Sequence, residues 1–319
     1  MNRFVKILLK RFLNMLFSIM FALMLIILLV YLMPGKNYYS ILNPNMSSEL
    51  IHKLEVGNEF SLLTASLNFI GNLFSGNLGS SIHYHQNISV LIYEHLSVTA
   101  LIALSAFIIQ FVVSVFLAYL SIRRRGKIFG KIMNKLAAFF YSVPTIVTAP
   151  ILIILFSVTL KIFPISGYSN FSASGNFIEI IYYLTLPILS LILSFIPEYY
   201  LYFVEILSDI YNKNFIIHLR SIGVSEKKIF LNHVIPNSFN SILSIAGIDL
   251  GFLLTGALIT EVIFGIPGFG RLTYEAIWTK DYYLAISCGL YGSIIFIVIN
   301  FISDLIRFII DKRTLSSVQ

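Results

Sequence analysis

The sequence YNKNFIIHLRSIGVSEKKIFLNHVIPN, residues 211–237, is a polar and basic stretch with a long apolar segment on either side. The flanking segments, residues 184–207 and 239–259, consist almost entirely of apolar residues. Each is long enough to cross a bilayer, which takes about 20 apolar residues in a helix. Because loops rich in Lys and Arg stay on the cytoplasmic side of a membrane, residues 211–237 are predicted to form a cytoplasmic loop between two spans. We refer to them as the basic loop.

The residue pattern inside the basic loop predicts two short helices joined at a glycine. Phe215, Leu219 and Ile222 are spaced at i, i+4 and i+7, which places them on one face of a helix. Gly223 is expected to end that helix because glycine adopts the left-handed C-cap conformation. Ser225 then offers an N-cap oxygen to a second helix. Two helices at the membrane surface with an exposed apolar stripe are suited to binding another protein.

Composition predicts an all-α membrane protein with six spans. Apolar residues make up 57% of the 319 residues and charged residues only 12%, against about 25% charged residues in a soluble domain. The first apolar run lacks a small-x-small cleavage site and exceeds the length of a signal-peptide core, so we expect it to be retained. None of the runs alternates as barrel strands do. The predicted spans are residues 12–33, 96–122, 136–163, 181–207, 239–263 and 283–310.

Positive charge alternates between the two sides of these spans. The N-terminus, the connection between the second and third spans, the basic loop and the C-terminal end carry four, six, four and three Lys or Arg residues, 17 of the 22 in the chain. This distribution predicts that both termini are cytoplasmic. The predicted segments are an N-terminal span (1–35), an extracellular segment (36–94), a core of five spans (95–310) and a cytoplasmic tail (311–319).

Short motifs along nearly the whole chain resemble those of one transporter family. They are YLMPG (31–35), GNLGSS (76–81), RRRG (123–126), SVP (142–144), PISGY (164–168), RSIGVS (220–225), HVIPN (233–237) and EVIFGIPGFGR (261–271). Together they resemble the first permease subunit of the dipeptide, oligopeptide and nickel ABC importers, with the basic loop matching the family's signature loop. Where the broad family often has Glu-Ala-Ala, this chain has Ile217, His218 and Leu219.

The resemblance implies a type-I importer permease in the inner membrane of a bacterium. Its implied partners are a homologous second permease, two ATPase subunits and an extracellular substrate-binding lipoprotein. In such permeases the signature loop forms a coupling helix that lies in a groove of the ATPase. The residues of this chain that it assigns to that contact are Phe215, Leu219, Arg220, Ser221, Gly223, Val224 and Ser225. ATP and Mg²⁺ would be bound by the partners, and this chain would bind no cofactor. The implied cargo is short peptides, with nickel or a metal chelate as the alternative.

Motifs for nucleotide binding and catalysis are absent from the sequence. It contains no Gly-x-x-x-x-Gly-Lys-Ser/Thr loop, no Gly-x-Ser-x-Gly elbow and no His-Glu-x-x-His helix. His83, His85 and His95 form a weak metal pattern without nearby cysteine, and solvated loop histidines explain them as well. An integral-membrane enzyme would need paired ionisable residues at one depth, and a passive channel would need no partner-binding loop. The net charge of +7 lies in the predicted cytoplasmic segments, not on a face suited to nucleic acid.

Asp249 is the most unusual residue of the predicted spans. It lies about 15 Å into the fifth span, at 1.5 Å per residue. A carboxylate at that depth costs about 2.5–3.5 kcal/mol unless it is paired or hydrated. Asp249 therefore either lines the translocation pathway and meets a cationic group of the cargo, or makes a structural hydrogen bond to a Ser or Thr of a neighbouring span. Pro144 and Pro197 are assigned to the same pathway because prolines bend the spans around it.

Small residues recur along the fifth span. Gly247, Gly251 and Thr255 are spaced four residues apart, which places them on one face of the helix. Such a stripe lets two helix backbones approach closely. It predicts either packing within this chain or a contact with the second permease.

Overall fold

A computed structural model describes residues 3–32, 71, 73, 76–123, 128–165 and 177–310. These residues are predominantly helical and form no β-strand beyond one isolated bridge between Ser80 and Asn87. The helices are α1 (Arg3–Leu32), α2 (Ile88–Arg123), α3 (Ile128–Tyr141), α4 (Thr145–Leu152), α5 (Phe177–Tyr211), α6 (Asn214–Ser221), α7 (Glu226–Ile229), α8 (Ile235–Leu254), α9 (Leu258–Ile263), α10 (Phe269–Trp278) and α11 (Tyr282–Ile310). Two wider π-helical segments, Ile153–Thr159 and Phe230–Val234, directly follow α4 and α7.

The predicted all-α architecture is confirmed. Among the described residues, five helical segments are long and apolar enough to cross a membrane, and the bent pair of α3 and α4 brings the number to six when it is counted as one span. Most of the predicted extracellular segment (36–94) and the whole tail (311–319) lie outside the described residues. The cytoplasmic placement of both termini stays a prediction from charge.

The third predicted span is not one straight helix. Its two halves, Ile128–Tyr141 and Thr145–Thr159, meet at an angle of 96°. The break falls at Pro144, whose backbone is extended with φ −61° and ψ 141°. Proline has no amide hydrogen for the helix and disfavours helical geometry in the residue before it, here Val143. Pro197, in contrast, lies inside the continuous helix α5.

The fifth predicted span also differs from its prediction, because α8 ends at Leu254 and α9 begins only at Leu258. Gly256 lies in the interruption with φ +116°. A Cβ at Gly256 would lie 2.5 Å from the Cα of Gly270, so the two backbones pass each other in contact. A side chain at residue 256 is excluded both by its backbone conformation and by this neighbour.

The described residues form two compact units, and the first consists of those within 1–100, 254–258 and 267–298. Its core includes the fully buried Ile88, Phe269, Leu272 and Leu284. Asp281, 1% exposed, joins the segment before α2 to the start of α11. Its carboxylate accepts hydrogen bonds from the Ser81 hydroxyl at 2.6 Å and from the backbone amides of Ile82, His83 and Leu284 at 2.9, 3.2 and 3.3 Å. One buried carboxylate thus fixes a segment about 200 residues away in the sequence.

A second polar contact in this unit joins the segment before α2 to α10. The Tyr84 hydroxyl donates a hydrogen bond to the Glu275 carboxylate, which also accepts one from Arg271 Nε at 2.7 Å. Burial alone would raise the pKa of Glu275, but the hydrogen bonds from Tyr84 and Arg271 outweigh it and lower the pKa. The contact therefore stabilises the fold above the ordinary carboxyl pKa, and this contribution is lost as the pH falls through the lowered value.

The second unit contains the described residues within 101–253, 259–266 and 299–310. Its core is built on the buried Tyr199, Phe203 and Leu207 of α5, against which α3 and α4 also pack. The rings of Tyr119 and Phe230 lie 4.1 Å apart between their centroids. This core includes residues of the basic loop, so the loop is part of the packed unit.

The small-residue stripe of α8 serves packing within the chain at Gly247. Its backbone faces Ser303 of α11, whose hydroxyl donates to the Leu243 carbonyl at 2.9 Å. A Cβ at residue 247 would lie 2.4 Å from Ser303 Oγ and 2.5 Å from Ser303 Cβ. Of the two alternatives, the structure supports intramolecular packing at this position.

Replacing Gly247 with alanine is expected to lower the thermal stability of the purified protein in detergent. The added methyl group overpacks the contact with Ser303, an effect that typically costs about 1–3 kcal/mol. Gly289→Ala is the matched control, because its Cβ would meet Ile26 at an ordinary 3.5 Å. Equal melting temperatures for the two variants would contradict the close contact.

Candidate functional site

The basic loop has the helix–glycine–helix geometry predicted from its sequence. Helix α6 is followed by Gly223 with φ +82° and then by α7. The amide of Gly223 donates to the Arg220 carbonyl at 3.0 Å, and the amide of Val224 donates to the Leu219 carbonyl at 3.1 Å. These bonds close the end of α6, and the positive φ explains why glycine stands at the turn.

The start of α7 is stabilised differently from the prediction. Ser225 occupies the N-cap position, but its side chain makes no cap hydrogen bond. Instead the Glu226 carboxylate accepts hydrogen bonds from Arg220 Nε and Nη2 at 2.6 and 3.4 Å. The Arg220 guanidinium also lies over the Tyr211 ring, 5.4 Å from its centroid. Since exposed ion pairs contribute little to stability, the main effect of Arg220 is to connect α6 and α7 across the glycine.

Buried residues anchor the basic loop in the second unit. Ile216, Ile229 and Val234 are fully buried, and Leu219 and Val224 pack against the same core. Leu219, predicted to share an exposed stripe with Phe215 and Ile222, is only partly exposed. It lies three positions after Ile216, and residues at this spacing are neighbours on a helix surface.

The exposed apolar residues of α6 and of the turn that follows it are Phe215, Ile217 and Ile222, with 39%, 56% and 61% of their surface accessible; Leu231, farther along the loop, is 52% accessible. We call these three residues the docking face. Exposed basic or polar side chains occur in the same segment: Lys213, His218, Arg220, Ser221, Lys227 and Lys228. Exposed apolar side chains among basic and polar ones are common in protein-binding surfaces. Ile217 was missed from the sequence, because the adjacent Ile216 and Ile217 give no sign of which one is buried.

The predicted pathway residues occupy two separate places in the second unit. Pro144 marks the break between α3 and α4. Pro197 is buried in α5 immediately before Glu198. Asp249 is half-buried on α8, and its neighbours are the Tyr199 hydroxyl and the Glu198 carboxylate. Sequence reasoning expected a Ser or Thr next to Asp249 as the structural alternative, and the neighbouring hydroxyl belongs to a tyrosine.

The histidines of the first unit do not form a metal centre. Within the described part of the chain, no group of three or more His, Cys, Asp or Glu side chains could hold a metal ion. His95 Nδ1 lies 2.8 Å from the Leu91 carbonyl, one turn earlier on α2.

Known proteins similar to this chain agree with this architecture. Residues 110–316 match the family described as binding-protein-dependent transport system inner membrane component. A Brucella abortus protein, named provisionally as a peptide transport system permease, is 31% identical to this chain over 284 residues. The alignment covers 88% of this chain and 90% of that protein. The dipeptide transport system permease protein DppB of Lactococcus lactis is 27% identical over 312 residues, covering 97% and 99%.

A solved structure shows the same fold at lower sequence identity. It is a crystal form of the MetNI methionine ABC transporter, described in inward-facing conformations. One of its chains matches this chain with a TM-score of 0.58 and 17% sequence identity, and the match covers 70% of this chain and 97% of that chain. The matched family consists of multi-pass transport subunits and not of enzymes, which confirms the expectation from the missing catalytic motifs. The chain therefore belongs to the family of binding-protein-dependent transport system inner membrane components, as a permease subunit of an ABC importer.

Proposed function

We propose that this permease carries short peptides across the inner membrane of a bacterium, driven by two ATPase subunits that bind the basic loop. A homologous second permease would complete the pathway, and an extracellular substrate-binding lipoprotein would deliver the cargo. Peptide cargo is supported by the Lactococcus relative and by a Pseudomonas aeruginosa relative named for di- and tripeptide transport, 25% identical over 292 residues. Nickel or a metal chelate is not favoured, since these relatives are named for peptides.

The docking face is the observation that supports the coupling role. Its three apolar side chains are exposed, while their neighbours Ile216 and Ile229 are fully buried in the same short loop. A partner that binds the exposed side chains would transmit force through the loop to the buried ones. Because packed cores move as units, the force would reach α2 through the contact between Tyr119 and Phe230 and α5 through the core that the loop shares with Phe203 and Leu207.

Replacing Ile222 with glutamate is expected to weaken binding of the ATPase subunit by roughly thirtyfold or more, since loss of a central interface residue costs about 2 kcal/mol or more. The measurement is a titration of purified ATPase onto the permease pair in nanodiscs. Ile128→Glu, at an exposed position at the start of α3, is the control and should bind the ATPase as the wild type does.

The same preparations test the cargo. Reconstituted with the binding protein and ATP, wild-type transporter should take up radiolabelled di- and tripeptides and not Ni²⁺. Unchanged ATPase affinity in Ile222→Glu would remove the docking role, and uptake of Ni²⁺ without peptide uptake would remove the peptide assignment.

A further inference from the structure

One side of α3 carries exposed lysines next to exposed apolar residues. The residues on this side include Ile128, Lys131, Ile132, Lys135, Leu136 and Phe139. Their spacing places them together on the helix surface, and the buried Gly130 and Ala137 lie on the opposite side. Each residue advances an α-helix by about 100°, so the two lysines form one edge of this surface and the apolar residues that directly follow them form the other. We call this surface the lysine face.

The middle of α3 lies level with the end of α2. The Tyr200 hydroxyl of α5 donates a hydrogen bond to Asn134 Oδ1 of α3 at 2.6 Å and lies 2.8 Å from Ser121 Oγ of α2. Ser121 precedes Arg123, the last residue of α2, by two positions. Three more basic residues follow in the sequence before α3 begins. Because a run of cations is costly in hydrocarbon, α2 leaves the hydrocarbon at this level, and the middle of α3 lies near the membrane surface.

The course of α3 is along the membrane surface and not across the bilayer. Asn134 and Thr148 are 14 positions apart, a rise of about 21 Å in a continuous helix. Their partners on α5 are Tyr200 and Ser194, with Thr148 Oγ1 2.9 Å from Ser194 Oγ. These partners are six positions apart, which is only about 9 Å along α5. The 96° bend between α3 and α4 explains the difference, because a helix that lies across α5 gains little height along it.

The charge of the lysine face matches a negatively charged lipid surface. Within the described residues, neither Lys131 nor Lys135 belongs to an ion pair. Another protein is a poor match for this face, because lysine is depleted at protein–protein interfaces. The basic connection before α3 predicts the cytoplasmic side of the membrane. The lipid surface on that side is negative, and amphipathic helices with lysines bind such a surface with their apolar residues inserted at the headgroup boundary.

We propose that the lysine face of α3 binds anionic phospholipids of the cytoplasmic leaflet. Lys131 and Lys135 extend to the charged headgroups, as long basic side chains do at a membrane boundary. Ile132, Leu136 and Phe139 contact the acyl chains of the same lipids. The inference does not depend on which cargo the permease carries.

The test uses the complete transporter, with both permeases and the ATPases, in vesicles of equal parts phosphatidylglycerol and phosphatidylcholine. Phe139 is replaced with p-benzoylphenylalanine, which forms covalent bonds with its neighbours on irradiation. One lipid is radiolabelled at a time, and the label attached to this chain gives the ratio of phosphatidylglycerol to phosphatidylcholine at the lysine face. The ratio should exceed one when both lysines are present. It should fall by roughly fivefold for each lysine removed, first in Lys131→Gln and then in Lys131→Gln/Lys135→Gln.

Two control variants show whether the effect belongs to these two charges. Lys131→Arg/Lys135→Arg keeps both charges and should keep the ratio. Lys227→Gln/Lys228→Gln removes two exposed lysines of the basic loop. It should also keep the ratio, because α5 continues for about 16 Å beyond Tyr200 before the loop begins. Co-purification of the partner subunits shows that each variant assembles.

The crosslinked products separate the lipid from other occupants. A loss of the ratio in the glutamine variants, with both controls unchanged, supports the anionic lipid site. A ratio near one with both lysines present overturns it, and so does a high ratio that the glutamine variants retain, since the attraction then comes from elsewhere. A crosslink from residue 139 to the second permease or to an ATPase, in place of lipid, would show that the face is a subunit interface.

Discussion

Replacing Gly223 with proline is expected to abolish peptide uptake while the permease still assembles with its partners and the ATPases still bind ATP. Gly223 has φ +82° and donates its amide hydrogen to the Arg220 carbonyl at 3.0 Å. Proline fixes φ near about −65° and has no amide hydrogen, so it can meet neither requirement. A backbone misfit of about 3 kcal/mol or more corresponds to a loss of roughly a hundredfold or more in the correctly formed turn. Uptake into proteoliposomes and co-purification of the ATPase measure the two expectations separately.

A graded variant and a matched control show whether the effect belongs to the coupling turn. A Cβ at Gly223 would meet nothing within 4 Å, so Gly223→Ala suffers only the left-handed backbone strain, about 1–2 kcal/mol, and should lose part of the uptake. Gly76 has φ +75° and equally open surroundings, so Gly76→Ala introduces the same strain outside the basic loop. It should leave the amount of ATP hydrolysed per peptide unchanged. Normal uptake by Gly223→Pro would end the coupling role of the loop.

Replacing Asp281 with alanine is expected to detach the segment before α2 and destabilise the protein strongly. The variant removes the acceptor for the buried Ser81 hydroxyl and for the part-buried amides of Ile82 and His83. A buried donor left unpaired costs about 1–3 kcal/mol, and loss of the two amide contacts adds to this cost. Hydrogen exchange followed by mass spectrometry should show faster exchange of the amides of Ile82 and His83, together with a lower melting temperature.

Two comparisons isolate this contribution. Asp281→Asn keeps one acceptor oxygen and the shape of the side chain, so it should lose less stability than the alanine variant. Asp209→Ala removes an exposed carboxylate that lies 4.0 Å from Lys213, and such pairs are worth about 0–1 kcal/mol. Equal protection of residues 82 and 83 in wild type and Asp281→Ala would show that the carboxylate does not hold the segment.

The parts of the structure that depend on local sequence were predictable. The helix–glycine–helix turn follows from side-chain spacing and from the backbone freedom of Gly223. The apolar runs likewise identified the spans. The side of α6 that is buried was not predictable, because it depends on how Ile216 packs in a core built from distant residues. The 96° break at Pro144 exceeds an ordinary proline bend, and its size is set by packing of α3 and α4 on α5.

The neighbourhood of Glu198 and Asp249 and the Asp281 contact were missed for different reasons. Glu198, Tyr202 and Glu205 did carry a readable signal, a polar stripe at helical spacing inside an apolar segment. Asp249 drew attention because it stands alone in its own span, whereas its relation to Glu198 exists only once α5 and α8 pack together. Asp281 resembles any polar residue at the start of a helix, and its partners 81 to 83 lie about 200 residues earlier.

The wide turn at Phe230–Val234 determines which way the rest of its helix faces. A π turn takes in about one residue more than an α turn, and each residue of an α-helix advances the azimuth by about 100°. Everything downstream in α8 is therefore rotated by more than a quarter turn compared with uninterrupted α-helical winding from Glu226. The side of α8 on which Asp249 lies next to Tyr199 therefore depends on this extra residue, and a one-residue deletion in the wide turn is expected to move the carboxylate away from Tyr199.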